Sequence, residues 1–220
     1  EMTIKKNLNQ IRSSLPPHVT LVAVSKTKPI GDLMQAYQAG QRVFGENKVQ
    51  EMVEKYNLMP NDVHWHMIGH LQRNKVKYLA RFVDLIHGVD SLKLLKEIDK
   101  QAQKHNRVIK CLLQIKISSE NSKFGLPKKE AEALLSLDTF QNLKNVSIVG
   151  LMGMASFTKD KVKISKEFKT LKSTFNKLKK KQKNLEIVSM GMSGDYKLAI
   201  DCGSSMIRVG SLIFGARNYN

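Results

Sequence analysis

Short apolar runs alternate along this chain with longer segments whose apolar residues recur at steps of about three and four. The first kind suits strands buried on both faces, and the second suits helices with one buried stripe. An opening helical segment puts Ile4, Leu8, Ile11 and Leu15 on one face and stops at Pro16-Pro17. Leu21-Val-Ala-Val-Ser25 then reads as a strand that ends at Lys26, because Pro29 cannot continue a sheet. Residues 30–39 return to helical spacing through Leu33, Met34 and Tyr37 and are closed by Gly40. The alternation predicts further strands over 41–45, 63–68, 82–86, 108–117, 146–152, 185–190 and 206–209. Helices over 46–56, 70–80, 91–105, 127–137, 159–183 and 195–202 separate them, with Ser91 suited to an N-cap and Pro127 to a first turn.

Eight strands, each followed by a helical segment and with no hairpin signal between neighbours, predict an α/β fold: a single-domain (β/α)8 TIM barrel over residues 1–220. An open doubly wound sheet is the competitor. It would carry a Gly-rich dinucleotide fingerprint after the first strand, and none stands there.

Composition narrows the class. A chain of 220 residues with 41% hydrophobic content can bury a full core without disulfides, and Cys111 and Cys202 stand too far apart in sequence to suggest a cysteine framework. Cys202 has no basic neighbour in sequence and reads as core. No apolar run approaches the roughly 20 residues of a membrane helix. The start, Glu1-Met-Thr-Ile-Lys-Lys6, lacks a secretory pattern, so a soluble cytoplasmic protein is expected.

The formal net charge of +18 raises the question of nucleic acid. Thirty of the 37 basic residues are lysine and seven arginine, whereas bidentate readout of phosphate and guanine favours arginine. Much of the excess lies within 159–183, where Ile164, Phe168, Leu171, Phe175 and Leu178 form one stripe. That segment reads as an amphipathic helix with a solvated lysine face; a polyanion-binding surface is the alternative.

The ends of barrel strands are where chemistry collects. A lysine at the rim of a core is partly desolvated, which lowers its pKa and favours the free amine that attacks carbonyls. Lys26 is thus a candidate Schiff-base lysine, or else a lysine that buries its stem and keeps its charge in water. Met190-Gly-Met-Ser-Gly-Asp195 runs from a strand into a helix start, where backbone N–H groups, a helix dipole and the Ser193 hydroxyl favour an anion. Gly210-Ser211 after the last strand adds donors without a side chain in the way. One ligand with both an aldehyde and a phosphate would satisfy the lysine and the two loops, and pyridoxal 5′-phosphate is such a ligand. Arg208 then has the position to meet its pyridine nitrogen, and an arginine, unable to accept a proton, keeps that ring neutral and a poor electron sink. The alternative for Arg208 is a structural ion pair. His64, His66 and His70 raise the question of metal, but no cysteine or nearby carboxylate completes a tetrahedral set. Met152 and Met154 offer soft contacts to a ring or fill the core.

Taken in order, Ala23-Val-Ser-Lys-Thr27, Phe44-Gly-Glu-Asn47, His66-Met-Ile-Gly-His-Leu-Gln72 with Asn74-Lys75, Ser122-Lys-Phe-Gly125, Gly150-Leu-Met-Gly-Met154, Met190-Gly-Met-Ser-Gly-Asp195 and Arg208-Val-Gly-Ser-Leu-Ile-Phe-Gly-Ala-Arg217 cover nearly the whole chain. The sequence resembles the pyridoxal phosphate homeostasis protein family. Ser205 stands where that family usually has threonine and Val209 where isoleucine is common; neither is a proposed contact. The resemblance implies a barrel like the N-terminal domain of alanine racemase, with Lys26 as Schiff-base lysine, Ser193, Gly210 and Ser211 on the phosphate, and Arg208 at the ring nitrogen. It further implies that Asn47, His66 and Met152 belong to the cofactor pocket. Related racemases and decarboxylases carry an additional β-domain that helps to cover the site, and the sequence ends at Asn220 without one. The expectation is therefore a monomeric carrier or buffer of pyridoxal phosphate, without catalytic activity, that passes the cofactor transiently to apo-enzymes. A pyridoxal phosphate-dependent racemase or lyase and a nucleic-acid-binding protein are the rival readings.

Overall fold

The computed structural model describes residues 3–121 and 124–216; Ser122, Lys123 and Arg217 of the quoted motifs lie outside the described residues. Helix α1 (Ile4–Ser14) precedes strand β1 (Thr20–Val24), and the units α2 (Ile30–Gln38), β2 (Val43–Glu46), α3 (Val49–Leu58) and β3 (His64–Met67) follow. A 3-10 turn (Arg73–Lys75) and the single-turn helix α4 (Val76–Leu79) lead to β4 (Leu85–Val89), α5 (Leu92–Lys104) and β5 (Ile109–Gln114). The second half comprises α6 (Lys128–Ser136), α7 (Asp138–Gln141), β6 (Val146–Met152), α8 (Lys161–Lys179), β7 (Ile187–Ser189), α9 (Tyr196–Asp201), β8 (Met206–Val209) and α10 (Ser211–Phe214).

The eight strands form one closed parallel barrel in sequence order. Closure is made by β1 against β8, with Val22 opposite Arg208 and Ala23 opposite Val209. This pairing excludes the open sheet and sets Lys26 and the loop after β8 side by side. Two apolar layers hold the barrel. Val22, Leu85, Leu112, Met152 and Met206 cluster inside it, while a larger core that includes Phe44, Trp65, Ile86, Leu95 and Phe168 lies between strands and helices. The lysine-rich α8 buries Ile164, Phe168, Leu171, Phe175 and Leu178, the stripe its spacing predicts.

Boundaries differ from the sequence reading where side chains break the apolar pattern for a reason. Strand β4 runs to Val89, past the expected end at residue 86, because His87 and Gly88 are fully internal to the strand and buried. Polar residues here face a partly polar barrel interior, and alternation alone cannot show that. The helix expected over 70–80 is reduced to two short turns, and α7 and α10, each four residues long, are too short to produce a periodic signal. Cys202 is only half-buried, its sulfur 3.6 Å from Ser165 Oγ, so it edges the core, and it is Cys111 that is buried in it.

Strands β6 and β7 approach closely at Gly150, where an added Cβ would lie 2.0 Å from the carbonyl oxygen of Ile187. Gly150→Ala should therefore push the ladder apart and destabilise the fold by about 2 kcal/mol or more. The measurement is urea unfolding, with a lower midpoint at an unchanged slope as the expected result.

Candidate functional site

The C-terminal rim of the barrel is built from short turns. Gly191, with φ of 106°, carries the chain out of β7; an added Cβ would lie 2.7 Å from Ala199 Cβ, so both the dihedral and the space require glycine. The next turn is closed by the Tyr196 amide donating to Met192 O at 2.8 Å and the Met192 amide donating to Asp195 Oδ1 at 2.7 Å. It presents Ser193 toward the loop after β8, where the Gly210 amide donates to Ser193 Oγ at 3.3 Å. On the other side of β8, Lys26 follows the end of β1 and is half-buried.

These segments enclose a cavity of about 260 Å³ lined by Lys26, Lys28, Ser193, Arg208, Gly210 and Ser211, with Val24, Met192, Gly194 and Gly215 completing it. Three of the lining side chains are cationic and none is a carboxylate. The excess positive charge and small volume suit one compact anionic ligand. Helices α9 and α10 have only six and four residues, so the dipole expected at the first of them is weak, and the anion preference rests on the cations and hydroxyls.

Lys28 was not singled out by sequence reasoning. Its ammonium donates to the carbonyls of Gly215 and Ala216, both at 3.1 Å, which ties the loop after β1 to the end of α10. Its place two residues beyond Lys26 on the same strand-end loop was the available signal. Asn47, His66 and Met152 lie outside the lining of this cavity. Asn47 follows the end of β2 with its backbone packed against Gly69, and Met152 belongs to the apolar cluster inside the barrel.

His66 has a different connection to the site. Arg208, 4% exposed on β8, donates one N–H to Ser189 Oγ and another to Gly153 O at 3.2 Å. Ser189 Oγ lies 3.0 Å from His87 Nδ1, and His87 Nε2 lies 2.9 Å from His66 Nδ1. His66 Nε2 faces Asp84 Oδ2 at 3.8 Å, near the start of β4. The direction of the chain is set from its two ends: a guanidinium only donates and a carboxylate only accepts, so the arrangement that leaves every hydrogen with an acceptor runs from Arg208 toward Asp84. Ser189 accepts from Arg208 and donates its O–H to His87 Nδ1, so His87 carries its hydrogen on Nε2 and donates to His66 Nδ1. His66 in turn holds its hydrogen on Nε2, toward Asp84. Burial pushes both imidazole pKa values down, His87 well below the ordinary value with further help from His66 and Arg208. Burial also lowers Arg208 to about 10, which leaves it charged at neutral pH. Sequence reasoning found His66 and Arg208 separately. Their link through Ser189 and His87 crosses the barrel and has no sequence signature.

The donor set fits a phosphorylated pyridine aldehyde: an amine at the rim, cations and hydroxyls for a phosphate, and a buried guanidinium for a ring nitrogen. The rim cavity of this parallel eight-stranded barrel is lined by a strand-end lysine, a buried arginine and two Ser/Gly turns. The sequence profile described as alanine racemase, N-terminal domain, matches residues 2–218, and the chain belongs to that family. An alanine racemase from Clostridium difficile superposes with a TM-score of 0.81 at 16% identity, over 99% of this chain and 61% of that one, a likeness of fold. Within this family the chain belongs with the pyridoxal phosphate homeostasis proteins. The protein of that name from Pasteurella multocida is 39% identical over the full length of both chains. Its Escherichia coli K12 counterpart is 36% identical over 99% of this chain and 98% of that protein. The structure of PipY from Synechococcus elongatus with PLP bound has a TM-score of 0.88 at 36% identity, covering 97% of this chain and all of the other.

Neutral buried imidazoles make stability depend on pH. Below about pH 6.5 the unfolded chain takes up protons that the folded His66 and His87 refuse, so their contribution falls as pH drops through that value. Long-range 1H–15N correlation spectra at about pH 8, where neither ring is protonated, should show both in the Nε2–H form. An Nδ1–H tautomer at either ring would break the assigned direction.

Proposed function

We propose that this chain holds pyridoxal 5′-phosphate as a reversible Schiff base on Lys26 and serves vitamin B6 and amino-acid homeostasis as a carrier or buffer. The observation that carries this reading is the single cavity that gathers Lys26, Ser193, Arg208, Gly210 and Ser211, with three cations and no carboxylate in its lining. When bound, the cofactor supplies an aldehyde, with which the Lys26 amine condenses reversibly with loss of water. Ser193, Gly210 and Ser211 take the phosphate, and Lys28 adds positive charge beside them. Arg208 donates to the ring nitrogen and withholds a proton from it, which keeps the ring a weak electron sink. His66 acts through its relay to Arg208, Met152 supports the cavity from inside the barrel, and Asn47 belongs to the pocket on the family resemblance alone.

In this reading the whole chain is one cofactor-binding domain, cytoplasmic and monomeric, without catalytic activity of its own. Among the described residues no helix is long and apolar enough to cross a membrane. The curated relatives are named as homeostasis proteins and not as enzymes, which supports storage over turnover. Beside the cavity, a wider groove of about 1070 Å³ shares Ser193 and Gly194 with it and is lined by Phe157 and Leu212. Phe157 is 99% exposed and Leu212 42%, an apolar rim that suits transfer of the cofactor to an apo-enzyme in contact.

Purified protein supplied with pyridoxal phosphate should show an absorbance band that borohydride converts to a covalent adduct, and Lys26→Ala should abolish the adduct. Loss of neither band nor adduct in Lys26→Ala would remove this lysine from the role. With common amino acids in deuterium oxide, the loaded protein should exchange no α-hydrogen; exchange dependent on Lys26 would establish the racemase or lyase reading instead.

A further inference from the structure

Behind Lys26, on the side away from the anion cradle, lies a buried cluster of charge that the cavity does not use. Lys55 on α3 is 5% exposed, and its ammonium makes three contacts: Ser25 O at 2.7 Å, Glu51 Oε2 at 2.7 Å and Glu46 Oε1. Three donors meet three acceptors, which saturates the ammonium. Glu46, the last residue of β2, is fully buried and also accepts from Ser25 Oγ at 3.2 Å. Glu51 Oε2 accepts a second bond, from the Thr27 amide at 2.6 Å.

Two of these contacts fall on the peptide groups either side of Lys26. The Ser25 carbonyl belongs to the peptide that enters residue 26, and the Thr27 amide to the one that leaves it. Fixing two consecutive peptide planes fixes the dihedrals of the residue between them, and with those the direction in which its Cβ departs. The turn is tight, with the Lys28 amide donating to Ser25 O at 3.1 Å, and Thr27 is held at φ of 66°, a region that β-branched residues avoid. A conformation of that kind persists only where the surroundings impose it. The bond to Glu51 does so here.

We propose that the buried Glu46–Lys55–Glu51 cluster is the positioning device for Lys26, clamping both flanking peptides so that the amine leaves the strand end toward the cavity. The proposal rests on Lys26 being the residue that condenses with the aldehyde. Glu51 is the informative member, because its side chain is 23% exposed and joins the cluster directly to the strained turn. An ordinary stabilising ion pair would hold α3 against β2 without touching residues 25 and 27.

The test compares pyridoxal 5′-phosphate with pyridoxine 5′-phosphate, which has the same phosphate and ring but an alcohol in place of the aldehyde. Glu51→Ala removes the acceptor for the Thr27 amide, whereas the amide oxygen of Glu51→Gln can still accept that bond. For Glu51→Ala, pyridoxal phosphate affinity and the rate of borohydride-trappable adduct formation should fall by about 10-fold or more, since small misplacements of a reacting group are costly. Affinity for pyridoxine phosphate should stay within about 2-fold, and Glu51→Gln should recover most of the loss. If Glu51→Ala does not fold, Glu51→Asp keeps the charge but is too short to reach both partners, and should show the same split at about 3-fold. Equal loss for both ligands, or unchanged handling of the aldehyde in a folded variant, overturns the proposal. Absence of a trappable adduct in the unmodified protein would instead overturn the role of Lys26 itself, so the two failures are distinct.

Discussion

A guanidinium held inside a closed barrel is the constraint on which the rest of the site depends. Arg208 is nearly inaccessible and still charged, and a charge taken into a protein interior costs several kcal/mol unless something nearby answers it. Among the described residues no carboxylate forms an ion pair with it. Neutral oxygens of Ser189 and Gly153 accept two of its five donors, and the Asp195 carboxylate, in the turn after β7, partly offsets the lowering of its pKa by burial. A cation answered only in part is a cation available to a ligand. The small cavity above it, with two lysines and no acid in its lining, extends the same preference to the solvent side.

Lys55 shows the opposite solution to the same problem. It is as deeply buried as Arg208, but its three donors end on two carboxylates and a carbonyl, and nothing is left over for a ligand. The desolvation felt by Glu46 raises its carboxyl to about 7 despite the lysine beside it, which marks how dry that corner is. One barrel therefore carries two buried cations with different fates, one saturated behind the strand-end lysine and one kept open before it. The difference is one of local acceptors and could not be inferred from residue type.

Direction is a second consequence of burying an arginine. A donor-only guanidinium at one end and the Asp84 carboxylate at the other orient Ser189, His87 and His66 between them, and the barrel interior gains a polar thread from β8 to β3. Protonating either imidazole would place two donors face to face in that thread, next to a fixed positive charge. The depressed basicity of both rings and the acidity of Asp84, to whose carboxylate His66 presents its hydrogen, are parts of one arrangement.

The residues themselves determined the number of strands, their order and the placement of Lys26, Ser193 and Gly210 at strand ends, because apolar runs, helical spacing and the stops at proline and glycine are local signals. They also determined the family, since motifs spread along the whole chain survive without any knowledge of contacts. Tertiary structure alone decided what meets across the barrel. Alternation tells which face of a strand a residue takes but not which strand stands opposite, so the pairing of His66 with His87, and of both with Ser189, was invisible in the chain. The same limit hid Lys55, whose charge marks it as a surface residue until α3 packs over the end of β1 and brings Ser25 O within 2.7 Å. Long-range closure put β8 beside β1, and only that closure turned separate strand ends into one cavity.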